Sequence, residues 1–163
     1  MLKGILAISG KPGLYKMISQ GKNSIIVEHL ETKKRMPAYS ADKVSSLEDI
    51  AIYTDEGDVP LQDVFKAIAD KEEGKKAISH KSGKNEIQNY FEEILPDYDQ
   101  DSVYVSDMKK VINWYNILQK LDMLDFSEEE KEEGAEKTDV SESDDTKVKE
   151  ENQSDHEQAS EKE

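Results

Sequence analysis

Leu2-Lys-Gly-Ile-Leu-Ala-Ile-Ser-Gly-Lys-Pro-Gly-Leu-Tyr-Lys16 decides how this chain begins to fold. Ile5 to Ile8 is an unbroken apolar run, the pattern of a short strand buried on both faces or of a barrel strand. Ser9-Gly-Lys-Pro-Gly13 ends that run. Proline pins φ and the glycines admit positive φ, so the backbone can reverse here. Leu14 to Ile18 is rich in strand formers and supplies the returning strand.

The pattern repeats downstream. Gly21-Lys-Asn23 marks a second turn, Ile25 to Leu30 is a β-branched third strand, and Glu31 to Lys34 is a polar turn. Arg35 to Tyr39 reads as a fourth strand, in which Pro37 suits an edge or a bulge. Leu47 to Tyr53, with Ile50 and Ile52 on one face, is expected as the fifth. Five short strands joined by hairpin-length turns predict a five-stranded SH3-like small β-barrel. An open meander sheet packed on later helices is the alternative. A core this thin gains from helices packed against it.

Helical periodicity begins at Pro60, whose missing N–H costs nothing in a first turn. Leu61, Val64, Phe65 and Ile68 share one face, and Gly74 is a natural stop. Asn85 and Gln88 have the spacing of a capping box, ahead of an apolar face of Ile87, Tyr90, Phe91 and Ile94. Pro96 ends that helix at Leu95. Ser106 is the expected N-cap of a third helix. Met108, Val111, Ile112 and Tyr115 form one stripe of it, and Trp114, Ile117, Leu118 and Leu121 another. So wide an apolar arc predicts a central helix, with Trp114 as its anchor.

The expected class is α+β. The expected layout is a barrel with a closing helix over residues 1–73, a linker over 74–84, a helical module over 85–126 and a disordered acidic tail over 127–163. Charge separates the parts. Residues 1–126 hold 17 Lys and Arg against 21 Asp and Glu, a net of −4. Residues 127–163 hold 5 against 16, a net of −11. High charge with few apolar residues predicts disorder there. Within the body, residues 1–46 carry +5 and residues 85–126 carry −6.

Several chemistries are excluded. Without cysteine there are no disulfides, thiol nucleophiles or thiolate metal sites. The first apolar run is too short for a signal peptide, and none reaches the length of a membrane span. A cytoplasmic protein is expected. Gly4 to Lys11 is not a phosphate-binding loop. Five residues separate Gly4 from Gly10 where four are needed, and Pro12 stands where a magnesium-binding hydroxyl belongs. Asp97-x-Asp99-x-Asp101 opens like a calcium loop, but Ser102 and Met108 replace its glycine and its glutamate. It reads as a polar interhelical loop. His29, His80 and His156 have no metal-ligand spacing. No catalytic residue, cofactor, metal or small-molecule substrate is indicated.

What remains is the basic N-terminal half. If the barrel forms, Lys11, Lys22, Lys33, Lys34 and Arg35 gather at loop ends near Tyr15 and Tyr39. Cations beside an aromatic ring are what single-stranded nucleic acid binding uses. The expected function is a non-enzymatic interaction module that binds RNA or a nucleoprotein surface through these residues. The alternative is a protein–protein adaptor that takes a partner peptide at the barrel or at a strand edge.

The opening stretch also carries a resemblance. Together with Lys34-Arg-Met-Pro-Ala-Tyr39, Phe91-Glu-Glu-Ile-Leu-Pro-Asp-Tyr-Asp99 and Ser106-Asp-Met-Lys-Lys-Val-Ile-Asn-Trp-Tyr-Asn116, it resembles a family of small bacterial cytoplasmic proteins of unknown function. The resemblance runs from Met1 to about Asp125. It implies a β part followed by a helical part and brings no activity, cofactor or catalytic residue with it.

Overall fold

A computed structural model describes residues 2–126; the expected tail lies outside them. Strands β1 (Ile5–Ile8), β2 (Tyr15–Gln20), β3 (Ser24–His29), β4 (Arg35–Tyr39) and β5 (Val44–Ser46) form one antiparallel sheet in the order β4-β3-β2-β1-β5. A 3-10 turn (Leu47–Asp49) leads to a second, two-stranded sheet of β6 (Ala51–Thr54) and β7 (Gly57–Pro60). Three helices follow: α1 (Leu61–Lys71), α2 (Lys84–Ile94) and α3 (Val105–Lys120). None of the helices among the described residues is long and apolar enough to cross a membrane.

The alternation of β1 explains the centre of the fold. Successive strand residues point to opposite faces. Ile5 and Ala7 join the large core shared with the helices, built around Leu2, Leu14, Leu47, Phe65, Phe91 and Tyr115. Leu6 and Ile8 join a smaller cluster with Tyr15, Val27 and Ala38. Ala38 belongs to β4, at one edge of the sheet, and Val44 of β5, at the other edge, packs on the same cluster. The sheet is therefore curled around its own small core. β4 and β5 are its edges, and no ladder joins them among the described residues. Asp42, on the connection between them, accepts the Tyr39 amide at 2.9 Å and pairs with Lys11 of the β1–β2 turn at 3.3 Å.

The fifth strand is a correction to the reading of the sequence. It is Val44–Ser46, hydrogen-bonded to β1, and not Leu47 to Tyr53. Leu47 is fully buried and turns the chain into the core as the first residue of the 3-10 turn. That turn detaches the next strand from the five-stranded sheet, so Ala51–Thr54 pairs with Gly57–Pro60, with one further bridge from Thr54 to Tyr98. Helix starts also differ. α2 begins at Lys84, because the Gly83 carbonyl already accepts the Ile87 amide at 3.0 Å, which places Asn85 inside the helix. α3 begins at Val105, its first amides bonding to the Tyr104 carbonyl, so Ser106 is not its cap. Trp114 is only half-buried at the rim of the core; its neighbour Tyr115 takes the centre, edge-on to Phe65 at 6.1 Å.

The segment between α1 and α2 is fastened to α3. The Tyr115 hydroxyl donates to the Lys75 carbonyl at 3.0 Å. Asn116 accepts the Ala77 amide at 2.9 Å and donates to the Ile78 carbonyl at 3.0 Å. These bonds position His80, which follows, beside the β1–β2 turn.

Candidate partner-binding groove

The Ser9-Gly-Lys-Pro-Gly13 turn forms one wall of a groove of about 480 Å³. Gly10 (φ 77°) and Gly13 (φ 86°) both sit in the left-handed region, which is why the turn needs glycine at each end. The turn runs into β2 and not into a helix, so it supplies no helix N-terminus for a phosphate. Lys43 and Ser45, around the start of β5, line the groove beside it. Lys109, Lys110, Asn113 and Trp114, all from α3, form the opposite wall. His80 closes one side and Ile50 contributes apolar surface.

Four lysines thus face one cavity. Two have acidic partners: Lys11 pairs with Asp42 at 3.3 Å, and Lys110 with Asp107 at 2.8 Å. The Tyr39 amide, followed by Lys11, holds the Asp42 carboxyl below its usual pKa. Lys43 and Lys109 have no acidic partner among the described residues. Unpaired cations on opposite walls give the groove a positive field that attracts anions.

The residues singled out from the sequence divide. Lys11 lines this groove. Tyr15 is buried, 4% exposed, with its ring edge-on to His29 and its hydroxyl donating to the Pro12 carbonyl at 3.1 Å, so it supports the turn from beneath. Lys22 lies in the β2–β3 turn, at the other end of that hairpin from Lys33 and Lys34. Lys33 adopts φ 58° in the β3–β4 turn, and Arg35 is engaged by Glu28 at 2.8 Å. Tyr39 is 55% exposed and lines a separate hollow with Lys22, at the mouth of the curled sheet. Hence Lys22 and Tyr39 share one place and Lys11 another, while Lys33, Lys34 and Arg35 stand apart from both.

Sequence reading passed over Lys109, Lys110, Asn113 and Trp114 as functional residues. A signal was present: Lys110 and Trp114 are four apart, so they share a helix face. The interhelical loop is explained locally. Asp99 accepts the amides of Asp101 and Ser102 and the Ser102 hydroxyl, and these bonds, the hydroxyl first, hold its carboxyl below the usual pKa.

Fold and groove together define a small α+β protein in which a curled antiparallel sheet and a helical layer share one core. The sequence matches two families in tandem, each described as a domain of unknown function: DUF5606 over residues 2–47 and DUF6852 over residues 50–118. Their boundary falls at the 3-10 turn, after β5. A solution NMR structure from Bacteroides vulgatus, a structural genomics target, is 54% identical and superposes with a TM-score of 0.66. The match covers 77% of this chain and 91% of that one. The chain belongs to the same family as that protein. No curated protein matches it.

Proposed function

We propose that this chain is a non-enzymatic interaction module that seats a short acidic segment of a partner protein in the lysine groove. One observation carries the reading: Lys43 and Lys109, both without acidic partners among the described residues, line the same cavity as Lys11, Lys110 and Trp114. The curl of the sheet around Leu6, Ile8 and Ala38 supports an SH3-like barrel left open between β4 and β5. The groove is then built by the β1–β2 turn of that barrel and by α3. A chain without cysteine suits a reducing bacterial cytoplasm, the setting we assign to it.

RNA is the other anionic partner for a basic surface. A nucleic acid strand is bound along a continuous track of cations. Here Lys22 and Lys33–Arg35 lie away from the groove, and Tyr15 is buried. The positive field is local, which suits a short peptide. Fluorescence anisotropy on the full chain tests this with two labelled probes of equal charge, an Asp/Glu-rich peptide and an oligouridylate. Peptide binding that weakens with salt and is lost in Lys43→Glu/Lys109→Glu supports the proposal. Tighter binding of the oligouridylate moves the function to RNA, and no binding of either at low salt removes the groove from consideration.

A further inference from the structure

The lysine groove does not end at Trp114. A second cleft of about 190 Å³ opens on its other side, between β6 and α3. Ile50, Lys110 and Trp114 line both cavities, so the two adjoin at the indole. Their characters differ. The second cleft is walled by Ile52, Val103 and Val111. Tyr53, 56% exposed, stands at its rim, and Tyr104, 65% exposed, adjoins Val103. A dry cavity of about 150 Å³ holds a benzene molecule, so this cleft has room for one large aliphatic or aromatic side chain.

Beyond the cleft the charge changes sign. Asp58 lies directly opposite Tyr53 in the β6–β7 ladder. The Asp55 amide bonds to the Asp97 carbonyl, and the Asp99 amide to the Tyr53 carbonyl, which brings the interhelical carboxylates to the same end. Asp107 lines the cleft itself. An anionic chain running straight through would meet lysines first and carboxylates afterwards. Like charges placed side by side cost binding energy, so the fitting ligand is acidic at one end only.

Resting on the groove reading above, we infer that the site recognises a composite motif: acidic residues beside one bulky apolar residue. The carboxylates lie against Lys43 and Lys109, the chain crosses Trp114, and the apolar side chain enters the cleft under Tyr53. Charge complementarity at one end and the adjoining apolar lining at the other select this occupant. A uniformly charged polyanion satisfies only half of the site.

Two labelled acidic peptides of identical charge test the inference, one carrying Phe after its acidic run and the other Ser. Both are titrated against the full chain, with Trp114 fluorescence as a second readout. The Phe peptide is expected to bind about tenfold more tightly, the worth of burying one such side chain. Ala51→Phe, placed at an exposed position on the rim of the cleft, is expected to abolish that difference while leaving the Ser peptide unaffected. Circular dichroism checks that this variant remains folded. Equal affinities for the two peptides, or a preference that survives Ala51→Phe, overturn the composite motif and leave the acidic groove standing. Failure of both peptides to bind overturns the groove reading and this inference with it.

Discussion

Gly13 shows how little freedom the groove-forming turn has. Its φ of 86° is in the left-handed region, and a Cβ built there would fall inside contact distance of the His29 ring, 2.9 Å from Cε1. His29 cannot yield easily, because its Nδ1 accepts two amides and its ring lies edge-on to Tyr15 at 5.1 Å. Gly10 has nearly the same φ, 77°, but its added Cβ would meet nothing within 4 Å. The pair separates backbone strain from steric conflict. Gly10→Ala should cost about 1–2 kcal/mol from the left-handed backbone alone. Gly13→Ala should cost at least about 1 kcal/mol more, as a local strain of this kind does. Chemical denaturation of both variants gives the difference, and His29→Ala in each background should erase it. Equal losses for the two glycines would mean that His29 moves aside freely.

At the scale of elements, periodicity served well wherever a segment was long enough to repeat. The apolar face of α1 at Leu61, Val64, Phe65 and Ile68 is the buried one, and so is that of α2 at Ile87, Tyr90, Phe91 and Ile94. β1 is buried on both sides, as its unbroken apolar run implied. The misplaced fifth strand has a physical cause. Val44-Ser-Ser46 is three residues long and mostly polar, and only the free edge of β1 makes it a strand. The Leu47–Tyr53 segment has the stronger local preference, but burial of Leu47 overrides it. Helix caps failed for a related reason, since the first carbonyl acceptor is set by where the chain enters and not by the best capping side chain. The segment after Gly74, read as a polar linker, contains the buried Ala77, whose amide is satisfied by Asn116 of α3. Asn116→Ala would leave that amide without a partner and cost about 1–3 kcal/mol. A thermal melt should fall by several degrees, and amide exchange at Ala77 should accelerate selectively. Unchanged exchange there would show that the segment is held by Tyr115 and packing alone.

The groove itself was hardest to read from the sequence, because it exists only at the level of the whole molecule. Its residues come from positions 11, 43, 80, 109, 110 and 114, and nothing local unites them. Charge accounting by segment found a basic N-terminal half and an acidic C-terminal half; folding instead brings lysines from both onto one cavity. The same scale governs the 37 residues after Phe126, which carry a net charge of −11. They lie outside the described residues, but their charge and attachment suffice for a prediction. α3 is about 24 Å long at 1.5 Å per residue, and an extended chain spans up to ~3.3–3.6 Å per residue. The segment can therefore reach Lys109 and Lys43 from its point of attachment with most of its length to spare. A tethered competitor acts at an effective concentration approaching millimolar. Deleting Ser127–Glu163 should raise the apparent affinity for a short acidic peptide several-fold at low salt. The gain should shrink as salt rises and the Debye length falls below ~8 Å. Paired titrations of the full and truncated chains at two ionic strengths measure it. An affinity that does not change on truncation would restrict the acidic segment to a solubilising role.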